Sequence, residues 1–109
     1  MLKSKMTRLS FEEALQIKDQ LRLHRWTLDP RNFLERKYTF QNFEDTWAFL
    51  TKVALRSHLG GHHPKITTLY NKVTIHLTTH DVQGLTQLDF KFAERFESYA
   101  NRIGLKDFN

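Results

Sequence analysis

Between residues 73 and 79 the chain alternates, with Val73, Ile75 and Leu77 apolar and Thr74, His76 and Thr78 polar. Successive side chains of a strand point to opposite faces, so this segment has one apolar and one polar face. Such a strand suits an antiparallel sheet in which only one face is covered by helices.

The rest of the chain supplies those helices and further strands. Ser10-Phe11-Glu12-Glu13 has the form of a capping box, with Glu13 placed to reach back to the Ser10 amide. Phe11, Ala14, Leu15 and Leu21 then share one side of a helix expected to run to about His24. Asp29-Pro30 and Asn32 mark a turn between a short strand around Trp26 and a longer one over residues 34–40. Asn42 is a good N-cap, followed by Glu44 and Asp45 where the helix dipole favours negative charge. Phe43, Trp47, Leu50 and Ala54 recur at helical steps, Phe49 and Val53 widen the stripe, and Gly60-Gly61 ends the helix. Residues 66–70 read as a strand that Asn71-Lys72 turns into the alternating one. Thr86 caps a last helix with the stripe Leu88, Phe92, Phe96, Tyr99 and Ile103, ended by Gly104. The order α-β-β-α-β-β-α predicts an α+β sandwich of one sheet and one helical layer.

A chain of 109 residues is too short for two independent cores, and nine Phe, three Tyr and two Trp supply bulky material for one. Residues 1–109 are therefore read as a single domain, with self-association as a source of added stability. The absence of cysteine excludes disulfides and thiolate metal sites and fits a reducing, intracellular address. No apolar run approaches the roughly 20 residues of a membrane helix. The net charge of +5 sits mostly near the N-terminus, where Lys3, Lys5 and Arg8 precede any acidic residue. Residues 1–8 are expected to form a flexible basic tail on a cytoplasmic protein, with a mitochondrial presequence as the alternative reading. A nucleic-acid patch is disfavoured, because there is no Arg run and no interleaved aromatic ladder.

Chemistry concentrates in one stretch. His58, His62, His63, His76 and His80 are five of the six histidines and fall within 23 residues. An imidazole titrates near neutrality, so a converging group can take a proton from one atom and deliver one to another. His62 and His63 occupy a Gly-Gly-His-His-Pro loop after a helix, and Pro64 restricts His63 to an extended backbone. His80 stands where the alternating strand leaves the sheet, whereas His76 is expected on its open face. No metal is expected, since there is no His-Glu-x-x-His and adjacent histidines diverge. Asp89, three residues after Thr86, has the default role of a capping-box acid.

With these residues in hand, the segment from His58 through His62-His63-Pro64, Tyr70 and His80 to Asp89 resembles the signature of the pterin-4a-carbinolamine dehydratases. This family is also known as the dimerisation cofactor of hepatocyte nuclear factor. Tyr70-Asn71-Lys72-Val73, Thr79-His80-Asp81, Gly84-Leu85-Thr86 and, upstream, Trp26, Phe40, Phe43 and Lys52-Val53-Ala54 extend the resemblance over roughly residues 8–100. It implies a four-stranded antiparallel sheet with helices packed on one face, and homodimers or homotetramers built through the sheet and the helices. It implies a lyase that dehydrates 4a-hydroxytetrahydrobiopterin, or a related 4a-hydroxytetrahydropterin, to the quinonoid dihydropterin without a cofactor. His62, His63 and His80 would be catalytic. Asp89, His58, Pro64, Thr78, Thr79 and Trp26 would support or shape the pterin site. Animal relatives also bind a transcription factor through the helical face, so a protein-binding adaptor is the alternative function. Two positions depart from the animal pattern: His58 replaces a usual Glu, and Lys65-Ile66 replace an acidic-aromatic pair. Exchanging a carboxylate for an imidazole alters the charge around the loop.

Overall fold

The computed structural model describes residues 7–106, so the expected basic tail lies outside the described residues except for Thr7 and Arg8. Helix α1 (Phe11–Gln20) starts with the complete capping box: the Ser10 hydroxyl accepts the Glu13 amide, and the Glu13 carboxylate accepts the Ser10 amide. It stops short of His24 because Arg22 adopts a left-handed conformation at φ 57, which breaks the ladder. The chain then enters β1 (Thr27–Asp29), and β2 (Phe33–Thr39) follows a turn in which Asn32 also has positive φ. Helix α2 (Phe43–Gly60) precedes the hairpin of β3 (Lys65–Leu69) and β4 (Lys72–Leu77), and α3 (Gln87–Ile103) closes the domain.

The four strands form one antiparallel sheet in the order β1-β2-β4-β3, which places the alternating strand in the interior beside β2. Val73, Ile75 and Leu77 are buried and join Leu34, Tyr38 and Phe40 in the core, while Thr74 and His76 face the open side. The α+β architecture and element order are those the sequence predicts.

The inward face of α2 differs from the expected stripe. Thr46, Phe49, Leu50, Val53 and Ser57 are buried, whereas Phe43 and Trp47 are about half exposed and Ala54 is exposed. Phe49 packs at a tilt against Phe40 and Tyr38 with ring centroids 5.0 and 4.8 Å apart, and this aromatic contact sets the rotation of the helix. Ser57 Oγ is the one buried side-chain polar atom without a hydrogen bond among the described residues. An unsatisfied buried hydroxyl costs about 1–3 kcal/mol.

One charged residue shares the core face. Strand alternation sends Arg36 inward between Leu34 and Tyr38, where its guanidinium forks onto Glu97 of α3 at 3.1 and 2.9 Å and lies 4.1 Å over the Tyr38 ring. Trp26 Nε1 and the Tyr38 hydroxyl also donate to Glu97, at 2.9 and 3.0 Å. Burial pushes the Glu97 carboxyl up, but the bonds from Arg36, Trp26 and Tyr38 outweigh it and hold the group below its ordinary value. Burial, with the Glu97 charge, pushes the Tyr38 hydroxyl well above its ordinary value.

Two outcomes test this packing. A depressed carboxylate stabilises the fold above its unfolded value, near 4.5, and that stability is lost as pH falls through the folded value. Resistance to urea unfolding should therefore weaken below about pH 4.5, and Glu97→Gln should flatten that acid limb while costing about 3 kcal/mol at neutral pH. Ser57→Ala should raise stability by about 1 kcal/mol in the same assay, since it removes only an unpaired hydroxyl.

Candidate active site

The alternation of β4 carries past Leu77, so Thr79 continues the inward face and is buried. It meets the first turn of α3, whose inward stripe of Phe92, Ala93, Phe96 and Ala100 begins with Asp89. Asp89 has no exposed surface, and a buried carboxylate is tolerated only when its oxygens are hydrogen-bonded. Oδ2 accepts the Thr79 hydroxyl at 2.7 Å and the Thr86 amide at 3.0 Å. Oδ1 lies 2.6 Å from Nε2 of His62, and the hydroxyls of Thr79 and Thr86 are 3.0 Å apart. The capping box expected of Thr86 and Asp89 is present, and the same carboxylate also holds the histidine.

His62 is delivered by the end of α2. Gly61 turns left-handed at φ 62, and the His62 amide donates back to the Ser57 carbonyl at 3.0 Å, which caps the helix and fixes the histidine backbone. The His62 ring stands edge-on to Phe92, with centroids 5.1 Å apart. Gly60 is the last residue of α2, and a Cβ there would come within 2.5 Å of Phe92 Cζ. The Phe92 ring that packs on His62 therefore occupies the space a side chain at residue 60 would take.

A cleft of about 210 Å³ opens at this junction, lined by Gly61, His62, His63, Thr79, His80, Asp81 and Leu88. It brings together His62, His63 and His80 with Thr79, and Asp89 lies directly behind His62. His63 and His80 are exposed, the latter in the 3₁₀ turn His80–Val82. His58 sits at the rim, exposed, with its ring centroid 6.3 Å from that of His63, and Pro64 is half-buried between the loop and β3. Trp26 and Thr78 lie elsewhere. Trp26 is fully buried and donates to Glu97, and the Thr78 hydroxyl donates to the Asn32 carbonyl at 2.8 Å. His76 is on the open sheet face, its centroid 3.8 Å from that of Phe33, and desolvation draws its pKa below the ordinary value. A larger, more open depression of about 450 Å³ beside Glu94, Glu97 and Arg102 contains no histidine. Among the described residues, no three His, Asp or Glu side chains converge in a way that could hold a metal ion.

The fold and cleft define a class: α+β domains that present several imidazoles to one small opening, with a buried carboxylate behind them. The pterin 4 alpha carbinolamine dehydratase family matches residues 7–99, and the chain belongs to that family. A relative from Chelativorans sp. (strain BNC1), provisionally named a pterin-4-alpha-carbinolamine dehydratase, is 37% identical over 101 residues, covering 92% of this chain and 98% of the relative. One from Saccharomyces cerevisiae (strain ATCC 204508 / S288c), named in the same provisional way, is 43% identical over 77 residues, or 64% of each chain. The crystal structure of a transcriptional coactivator/pterin dehydratase from Brucella melitensis superposes with a TM-score of 0.80 at 30% identity, covering 86% of this chain and 99% of that one. A pterin dehydratase-like protein identified as a RuBisCO assembly factor in the alpha-carboxysome superposes at 0.62 with 26% identity, over 71% and 90% of the two chains.

Gly60→Ala tests the support behind His62. Helix propensity alone favours alanine by about 1 kcal/mol. The clash with Phe92 should prevail, giving a net loss of about 1–3 kcal/mol in thermal or urea unfolding.

Proposed function

We propose that this chain is a hydro-lyase that converts a 4a-hydroxytetrahydropterin to the quinonoid dihydropterin and water by histidine acid–base catalysis. Membership of the family supports a dehydratase role, and the observation that carries the finer reading is that His62, His63 and His80 line one cleft.

The reaction breaks the C4a–O bond and removes the proton from N5, forming a C4a=N5 double bond. One imidazole must be protonated, to deliver a proton to the departing hydroxide, and another neutral, to take the N5 proton. His62 and His80 reach the cleft from different elements, one from the end of α2 and the other from the exit of β4, and we give them these two roles. His63 hydrogen-bonds the pterin or shares the transfer. With protons given and taken by side chains, the step is redox-neutral and uses no cofactor. Self-association into dimers or tetramers and an intracellular setting accompany this reading.

A second reading has a specific observation in its favour. Phe43, Trp47, Leu55 and Leu59 of α2 are 48% or more exposed, an apolar surface suited to a protein-binding adaptor. The naming of structural relatives as a coactivator and as an assembly factor agrees with that alternative.

Dehydration kinetics on a synthetic 4a-hydroxytetrahydropterin separate the two. His62→Ala and His80→Ala should each lower turnover by about 10²–10⁴-fold while circular dichroism stays native. Wild-type rates in both variants would remove the histidines from the mechanism, and an inactive wild type would favour the adaptor.

A further inference from the structure

The hydrogen bonds onto the Asp89 carboxylate admit a single direction. A threonine hydroxyl has one hydrogen to donate, and a carboxylate can only accept. The Thr79 hydrogen therefore goes to Asp89 Oδ2 at 2.7 Å, and the Thr79 and Thr86 hydroxyl oxygens lie 3.0 Å apart. The Thr86 oxygen in turn accepts the Leu88 amide at 3.2 Å. Thr79, Thr86 and Asp89 are each no more than 3% exposed, so bulk water does not compete for these bonds. Oδ2 receives a second hydrogen from the Thr86 amide, and Oδ1 faces His62 Nε2 at 2.6 Å. That contact puts a hydrogen on Nε2, and in the neutral ring Nδ1 is then the nitrogen with a free lone pair.

We infer that Thr79 is a positioning residue: its hydroxyl locks Asp89 and thereby selects the Nε2–H tautomer of His62, which makes Nδ1 the nitrogen that exchanges protons. The assignment rests on the acid–base role given to His62 above. Although Thr79 borders the cleft, its only hydroxyl hydrogen is committed to Asp89, so it acts through the carboxylate and does not donate to a pterin.

The test combines kinetics with ¹⁵N NMR of the histidine rings. Wild type and Thr79→Ser should both show His62 as a single Nε2–H tautomer when neutral. Thr79→Val, which keeps the shape and removes the donor, should give mixed tautomers and lower kcat by roughly 10- to 100-fold, the rate equivalent of one charge-assisted hydrogen bond. KM should change little, and Thr79→Ser should restore kcat. An Nδ1–H tautomer in the wild type overturns the inference, whether or not the valine variant folds. So does a valine variant with wild-type tautomer and kcat, or a serine variant as impaired as the valine one. The NMR readout does not depend on turnover. If His62→Ala remains active while the tautomer still follows residue 79, the catalytic reading fails and the lock stands.

Discussion

A carboxylate with no solvent contact stands at the meeting point of α2, β4 and α3, and the site is organised around satisfying it. Desolvating Asp89 would cost several kcal/mol if its oxygens lacked donors. The donors come from segments well apart in the chain: His62 after α2, Thr79 after β4 and Thr86 before α3. The N-terminal turn of α3 adds a favourable dipole. Meeting the needs of one buried charge thus fixes how three elements join, and that junction is the wall of the cleft.

The middle of the same helix handles a half-buried acid differently. Glu97, two turns on, is neutralised by the Arg36 fork and bonded by Trp26 and Tyr38. Its partners come from β2 and the segment before β1, and they tie the first half of the sheet to α3. A charge held by four donors, two of them from one guanidinium, suits a structural role. Asp89 instead hands one oxygen to an imidazole that borders solvent. Two acids on one helix are separated in role by their donors.

Much of the site was legible from local pattern. The loop Gly-Gly-His-His-Pro, the exit of the alternating strand at His80 and the Thr86–Asp89 box are short-range signals, and short-range geometry decides them. Other features depend on distant partners. Arg36 sits on the inward parity of β2, but only the presence of Glu97 on a facing helix makes an inward arginine tolerable. Phe43 and Trp47 fit a helical stripe as well as Phe49 and Val53 do, and spacing alone cannot choose between two stripes roughly one residue apart. The packing of Phe49 on Phe40 and Tyr38 makes that choice. Trp26 looked like a site residue within the resemblance, yet it lies beside Glu97 and away from the histidine cleft.

By itself the amino-acid order determined the elements, their caps, the single covered face of the sheet and the histidines that lie near one another along the chain. These follow from periodicity and from hydrogen bonds spanning a few residues. Only the tertiary structure decided that His62 backs onto Asp89, that Gly60 makes room for Phe92, and that Arg36 and Glu97 share the core. Those contacts join residues 27, 32 and 61 positions apart, and no local rule relates them until the helices are docked on the sheet.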